Sequence, residues 1–500
     1  MDTFNLVSII ICSLLVLYYY YVQKQKYWEK RGIPTAKVKS VPILGHMWRF
    51  IMFKRTLGEI LEDCYNSTDS SMVGVYNFTS PELLIKDVKL IKEIMQTQFS
   101  KFSENGVKID HKKDPLLSKN PFFNDGEVWK KERSVLTNTM STTKLRNIGI
   151  AVSEVCNKFD EFLQKQIKLN NGSYVTKAEE LFGRFTSEVV AGAGFGIEGN
   201  SFIKDEGNFL EAIKKIFEPT GLAGLKQTLI FLCPSVGKII DGRFIPVKMD
   251  QYFRGIVKEV LDVRKQGKIR GNDFIQQVYD SYKSESGEID ETFITGHALS
   301  FIIDGYFTAS YTLSYIVFEL AVHADVQEKL RQEIKQVLEK HENKITYETI
   351  QEMKYMDLVI QESMRLLPVI SFLSRICTEE CKLVGSDGLE VVMRPGDKIL
   401  LSPNGIQKDS KYWKNPKVFD PERFKEENND SKFTNLAFGA GPRMCPGMRM
   451  ALLQMKGALT KLLDNYSLEL SSKTKLPLTF DVATFLNVVK GGIWINIKPL

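Results

Sequence analysis

Cys445 lies in the stretch AFGAGPRMCPG, residues 437–447, among glycines and prolines rather than in an apolar periodic run. Such surroundings point to chemistry rather than packing. Downstream, Met448, Ala451, Leu452, Met455, Leu459 and Leu462 recur at helical spacing, and Pro446 suits the first turn of that helix. A helix start carries partial positive charge and free N–H groups, which favour a thiolate over a thiol. Gly439 and Gly441 let the backbone bend and a large flat ligand approach closely. A thiolate so placed can be a nucleophile beside a base, an axial ligand of haem iron, or a structural residue. A lone thiolate makes a poor zinc site. The loop by itself leaves the first three readings open.

Other residues have suggestive types and spacing. Glu362 and Arg365 stand three apart, on one helix face, before Pro368 ends the helix. Trp129 and Arg133 stand four apart on a helical pattern, which alone reads as an amphipathic edge. Asp304 and Thr308 are also four apart, one turn of the same helix face. By default the Thr308 hydroxyl bonds back to the carbonyl one turn earlier. The five histidines show no ligand spacing, and Cys377 and Cys381 are the only close pair among seven scattered cysteines. That usage suggests reduced thiols facing a cytosol-like compartment.

These residues need a large, mainly helical body to hold them. Helical periodicity dominates from about 88 to 366, with loops expected around 103–125 and 219–249. Residues 297–320 are nearly all apolar, with Asp304 and Glu319 the only acids, and read as a long helix buried in a large core. Strands are expected on either side of Thr79 and Ser80 and again from 377 onward, with Gly491 and Gly492 in a tight turn. The fold class is therefore mainly α with a smaller β-rich part. A net charge of +6 over 500 residues is too mild to indicate nucleic acid.

Residues 4–22 form an uncharged run of 19, ending in four tyrosines and followed by basic residues. This predicts one N-terminal transmembrane helix, with the remaining chain cytosolic. The expected organisation is an anchor over 1–23, a basic, proline-containing linker over 24–46 and a catalytic domain over 47–500.

Phe438, Gly439, Gly441, Arg443, Cys445 and Gly447 match the haem-binding loop Phe-x-x-Gly-x-Arg-x-Cys-x-Gly, so the chain resembles the cytochrome P450 family over about residues 30–500. The resemblance implies the cytochrome P450 fold and haem b, with Cys445 as axial thiolate. It implies that Arg443, Trp129, Arg133 and Arg375 contact haem propionates, with Phe438 and Gly439 in the haem loop. Glu362, Arg365 and Arg423 resemble the buried Glu-Arg-Arg cluster that braces that loop. The helix at 297–320 resembles the one crossing the haem, where a threonine, here Thr308, serves proton delivery to bound oxygen. The acid usually preceding it is Phe307 here. Asp304, one turn before Thr308, is expected either to replace that acid or to pair with a polar group of the substrate.

The implied activity is monooxygenation of a hydrophobic substrate by O2, with electrons from NADPH through a separate flavoprotein reductase. Lys130, Lys131 and Arg449 would offer a basic docking face. A microsomal member would reside in the endoplasmic reticulum membrane, held in the lipid bilayer by residues 4–22. Ile370, Phe372 and Phe485, with the 103–125 loop and the 203–245 region, would make the pocket apolar. Two other functions use the same site: a haem-thiolate isomerase or dehydratase acting on a peroxide without a reductase, and a noncatalytic haem sensor.

Overall fold

A computed structural model describes residues 3–203, 209–217, 221–232, 242–266, 271–286, 290–425 and 431–500. Parts of the 203–245 region expected to line the pocket (204–208, 218–220 and 233–241) lie outside these described residues. Helix α1 covers Thr3–Lys24, and the antiparallel strands β1 (Met72–Asn77) and β2 (Ser80–Ile85) follow. Next come helices α2 (Gly126–Asn138) and α3 (Thr142–Leu169), strand β3 (Tyr174–Lys177) and helix α4 (Ala178–Val190). The long helix α5 (Glu291–Val322) and helix α6 (Lys354–Leu366) precede strands β4 (Leu373–Ile376), β5 (Cys381–Val384), β6 (Glu390–Met393) and β7 (Lys398–Leu401). Helix α7 (Met448–Asn465) leads into β8 (Tyr466–Leu470), and β9 (Trp494–Pro499) ends the chain.

One sheet has the order β1-β2-β7-β4, in which β2 and β7 run parallel, and a second has the order β3-β9-β8. The expected proportions of helix and strand are thus present.

Helix α5 runs through the core and packs most extensively on α4. Its start is fixed by Asp290, whose carboxylate accepts from the N–H groups of Thr292 at 2.8 Å and Phe293 at 3.2 Å. Its buried hydroxyls satisfy themselves within the helix, Ser300 on the Gly296 carbonyl at 2.9 Å and Ser314 on that of Ser310 at 2.8 Å. These bonds let a largely apolar helix bury its hydroxyls. Helix α6 leads into β4, which bonds to β7 from Leu373↔Leu401 to Ile376↔Lys398. That register sets Arg375 beside Ile399 at the edge of the helical core.

Two expectations about the chain's start and middle change. Among the described residues no helix is long and apolar enough to cross a membrane. This overturns the transmembrane helix over residues 4–22, the lipid bilayer as partner and the single-pass endoplasmic reticulum location. Over its 22 residues α1 is about 33 Å long. Asn5 precedes the apolar part, Ser8 and Ser13 punctuate it, and Tyr18–Tyr21 follow, leaving Leu6–Leu17. Further on, the loop expected at 219–249 contains a helix, Gly221–Leu232, whose glycines masked its apolar periodicity.

The stretch after α1 is laid along β1 and does not stand apart as a connector. Trp28 and Ile33 are buried, and Gly74 N–H donates to the Pro34 carbonyl at 2.8 Å while Ala36 N–H donates to that of Gly74 at 3.0 Å.

Candidate active site

Gly439 and Gly441 both adopt the left-handed conformation, with φ of 68° and 69°. A Cβ at Gly441 would sit 1.7 Å from the Met95 carbonyl oxygen, so only glycine fits there. The turn is closed by the Cys445 N–H, which donates to the Phe438 carbonyl at 2.8 Å. Helix α7 starts at Met448 with Gly447 as its N-cap, so Pro446 precedes the helix instead of occupying its first turn. Cys445 is thus presented just ahead of a helix N-terminus.

The thiol faces a cavity of about 350 Å³. Trp129, Arg133, Asp304, Thr308, Arg375, Phe438, Gly439, Arg443 and Cys445 all line this one space. So do Ile370, Phe372 and Phe485. They reach it from α2, α5, β4 and the loop before α7, segments more than 300 residues apart at the extremes. Lys130, Lys131 and Arg449 do not line it. Lys130 pairs with Glu127 at 2.7 Å, and Arg449 donates to the hydroxyls of Thr142 and Tyr347, each at 3.0 Å.

Burial raises the Cys445 thiol to about 11, helped by the nearby Asp304, although the N–H groups of Gly447 and Met448 and the charge of Arg133 pull the other way. The helix start alone therefore does not make a thiolate here. A stronger positive charge is needed at the sulfur.

One end of the cavity is cationic. Arg443 donates to Asp125 at 2.9 Å and to the Asn124 carbonyl at 2.8 Å, and its guanidinium lies 4.5 Å from the Trp129 ring centroid. Asp125 is also paired with Lys108, so two cations share one carboxylate. Burial, and then Arg133, lowers Arg443 to about 10. Arg375 is lowered to about 9 by burial and then by Arg443. It donates one bond to the Ser374 carbonyl at 2.8 Å, while its Nε has no partner among the described residues. Arg133 is likewise lowered by burial. Buried cations with unspent donors fit a ligand carrying carboxylates.

On the opposite wall, Thr308 Oγ1 donates to the Asp304 carbonyl at 2.9 Å, the default bond of a helix hydroxyl. Phe307 is buried and stacks on Tyr311 with centroids 4.3 Å apart, so the usual acid position is occupied by a core ring. Asp304 has free surface, but that surface opens onto the cavity and not the outside of the molecule. Burial raises its carboxyl to about 7, against the lowering effect of an Asn120 hydrogen bond. Asn120 Nδ2 donates to the two carboxylate oxygens at 3.1 and 3.3 Å.

Several partners escaped sequence reasoning. Asn120 and Asp125 were hidden because they meet residues 184 and 318 positions away. Their only local signals are an Asn-Pro turn and an acid just before the Gly126 helix start. Glu132 Oε2 and His297 Nε2, both buried, meet at 2.7 Å and tie α2 to α5. Gln454 Nε2 donates to the Gly305 carbonyl at 2.9 Å, linking α7 to α5.

Outside the cavity, Glu362 accepts from Arg365 at 2.7 and 2.8 Å and from Arg423 at 3.0 Å. Glu362 and Arg365 are fully buried. The three residues expected to cluster therefore do so.

The Cys445 thiol, three guanidiniums and apolar side chains thus share one cavity beside a long helix, which suits a largely apolar ligand carrying negative charge. The cytochrome P450 family model matches residues 36–495. The chain is similar to cytochrome P450 6j1 of Blattella germanica, with 31% identity over 99% of this chain and 97% of that one. It is also similar to cytochrome P450 9e2 of the same species, with 32% identity over 97% and 96% of the two chains. Probable cytochrome P450 6a19 of Drosophila melanogaster shows 30% identity over 99% of each. The chain belongs to the cytochrome P450 family. With that membership come haem b bound through a cysteine and the monooxygenase class of oxidoreductase activity. Among the described residues no group of three or more His, Cys, Asp or Glu side chains could hold a metal ion.

Proposed function

We propose that this chain inserts one oxygen atom of O2 into an apolar organic substrate, with electrons from NADPH passed on by a separate flavoprotein reductase. The observation that carries this reading is the placement of the Cys445 thiol and the Asp304–Thr308 turn on the walls of one apolar cavity. Cys445 would hold the iron, Phe438 and Gly439 would support the ring, and Arg133, Arg375, Arg443 and Trp129 would meet the propionates. Haem, when bound, supplies the redox chemistry of oxygen activation. Cationic iron at the sulfur would offset the burial that otherwise keeps Cys445 protonated.

Arg375 gives this assignment a direct test. A charge-assisted hydrogen bond contributes about 1.5–3 kcal/mol, or roughly tenfold or more in an equilibrium. Arg375→Leu is therefore expected to lose haem to an excess of a scavenging globin about tenfold faster than wild type. An unchanged rate would remove Arg375 from the propionate set.

On the oxygen side, Asp304 holds its proton near neutrality, as a proton carrier must, and lies one turn from the Thr308 hydroxyl. It takes the place of the acid that Phe307 displaces. Loss of a general acid costs about 10²-fold or more. Asp304→Asn is expected to lower product formation on that scale while NADPH consumption continues and peroxide accumulates. Unchanged product per NADPH would reject the carrier role. Phe307 also keeps a second reading in view, a reductase-independent isomerase or dehydratase. Turnover of a peroxide substrate with no NADPH present would favour that reading.

A further inference from the structure

The cavity wall carries charge of both signs, but unequally provided for. Arg133, Arg375 and Arg443 gather at the haem-facing end, where propionates would offset them. Among the described residues Asp304 is the only acid on the wall, and it makes no ion pair with any of them. Its one described side-chain partner is the neutral amide of Asn120.

Asn120 is itself fixed, because its Oδ1 accepts from the Phe122 N–H at 2.8 Å and caps the short turn Pro121–Phe123. The carboxylate is thereby held in one orientation, with its remaining lone pairs on the cavity. The neighbouring wall is aromatic. Phe231 stacks on Phe485 with centroids 4.1 Å apart, and on Phe122 at 6.1 Å. An ionised carboxylate in such surroundings is costly unless an opposite charge repays its desolvation. Aromatic faces attract cations as well.

We propose that the cavity takes an apolar substrate bearing one cationic nitrogen, and that Asp304, oriented by Asn120, is the residue that recognises it. This rests on the proposed function, in which the cavity holds both haem and substrate. Burial alone keeps the carboxyl near neutrality, and a bound cation pulls it toward the ionised form. With an ammonium bound, the ammonium–carboxylate pair, rather than the carboxyl alone, carries the proton one turn from Thr308.

The test uses full-length, haem-loaded protein and equilibrium dialysis at neutral pH. The probes are an arylalkyl trimethylammonium, whose quaternary nitrogen cannot ligate iron, its neutral tert-butyl isostere, and the matching carboxylate. Wild type is expected to bind the cation at least tenfold more tightly than the isostere, and the carboxylate weakest. Asp304→Asn is expected to bind the isostere as wild type does and to lose the preference for the cation. Asp304→Ala serves in its place if the amide variant does not retain haem.

Equal binding of cation and isostere by wild type, or a preference that survives both substitutions, overturns the inference. In either case a normal carbonyl spectrum leaves the proposed function standing. Tighter binding of the carboxylate also overturns it, because the acid is then acting as a protonated donor. Wild type lacking the thiolate carbonyl band overturns both readings.

Discussion

Glu362→Ala is expected to destabilise the protein by about 3–5 kcal/mol and to yield little haem-loaded material, because it removes one partner of a buried charge cluster. The Glu362 carboxylate accepts from Arg365, Arg423 and the Asp420 N–H, the last at 2.9 Å. Its loss strands two guanidiniums in the interior. They keep backbone acceptors, Arg365 on the Gln407 and Pro416 carbonyls at 2.7 and 2.8 Å and Arg423 on the Lys414 carbonyl at 2.8 Å. No other carboxylate among the described ion pairs compensates them.

The effect should reach the haem loop. Gln407 Nε2 donates to the Arg365 carbonyl at 3.0 Å, and Gln407 Oε1 accepts from the Leu436 N–H at 2.8 Å. The Leu436 carbonyl accepts from the Gly439 N–H at 2.9 Å, at the turn that presents Cys445. Glu362→Ala should therefore lower haem content along with stability, whereas a surface ion pair such as Arg146–Glu348 should matter little. Urea unfolding followed by tryptophan fluorescence, with haem quantified on the same samples, checks both. A loss below about 1 kcal/mol with full haem content would mean that the cluster does not brace the loop.

The haem loop was legible because its constraints are local. Glycines with φ near 70° and a cysteine ahead of a periodic apolar run leave a mark on eleven consecutive residues, 437–447. The Glu-Arg pair was legible for the same reason, being one helix face. The long helix was expected at 297–320 and found at Glu291–Val322, extended because the Asp290 cap, not the apolar run, sets its start. Partners across the fold were not legible. Nothing near Arg443 points to Asp125, and nothing near Asp304 points to Asn120, because those pairs exist only once the 103–125 loop closes over α5.

The uncharged run over 4–22 predicted an anchor, yet among the described residues no helix is long and apolar enough to cross a membrane. The departure at Phe307 was visible at once, but its meaning was not. Only the packing of Phe307 on Tyr311, with Asp304 turned to the cavity, shows where an acid remains available.

The role of Cys445 is tested most directly by the absorption spectrum of the dithionite-reduced protein under carbon monoxide, recorded for wild type and for Cys445→Ala. Cys445 is the one cysteine on the cavity wall among the described residues. A strongly red-shifted Soret band in wild type, absent from the alanine variant, is the expected result, since the Cys445 thiolate would hold the iron and supply the electron density that shifts the band. A band that persists unchanged in Cys445→Ala, or wild type that binds no haem, would contradict the assignment of Cys445 as the iron ligand.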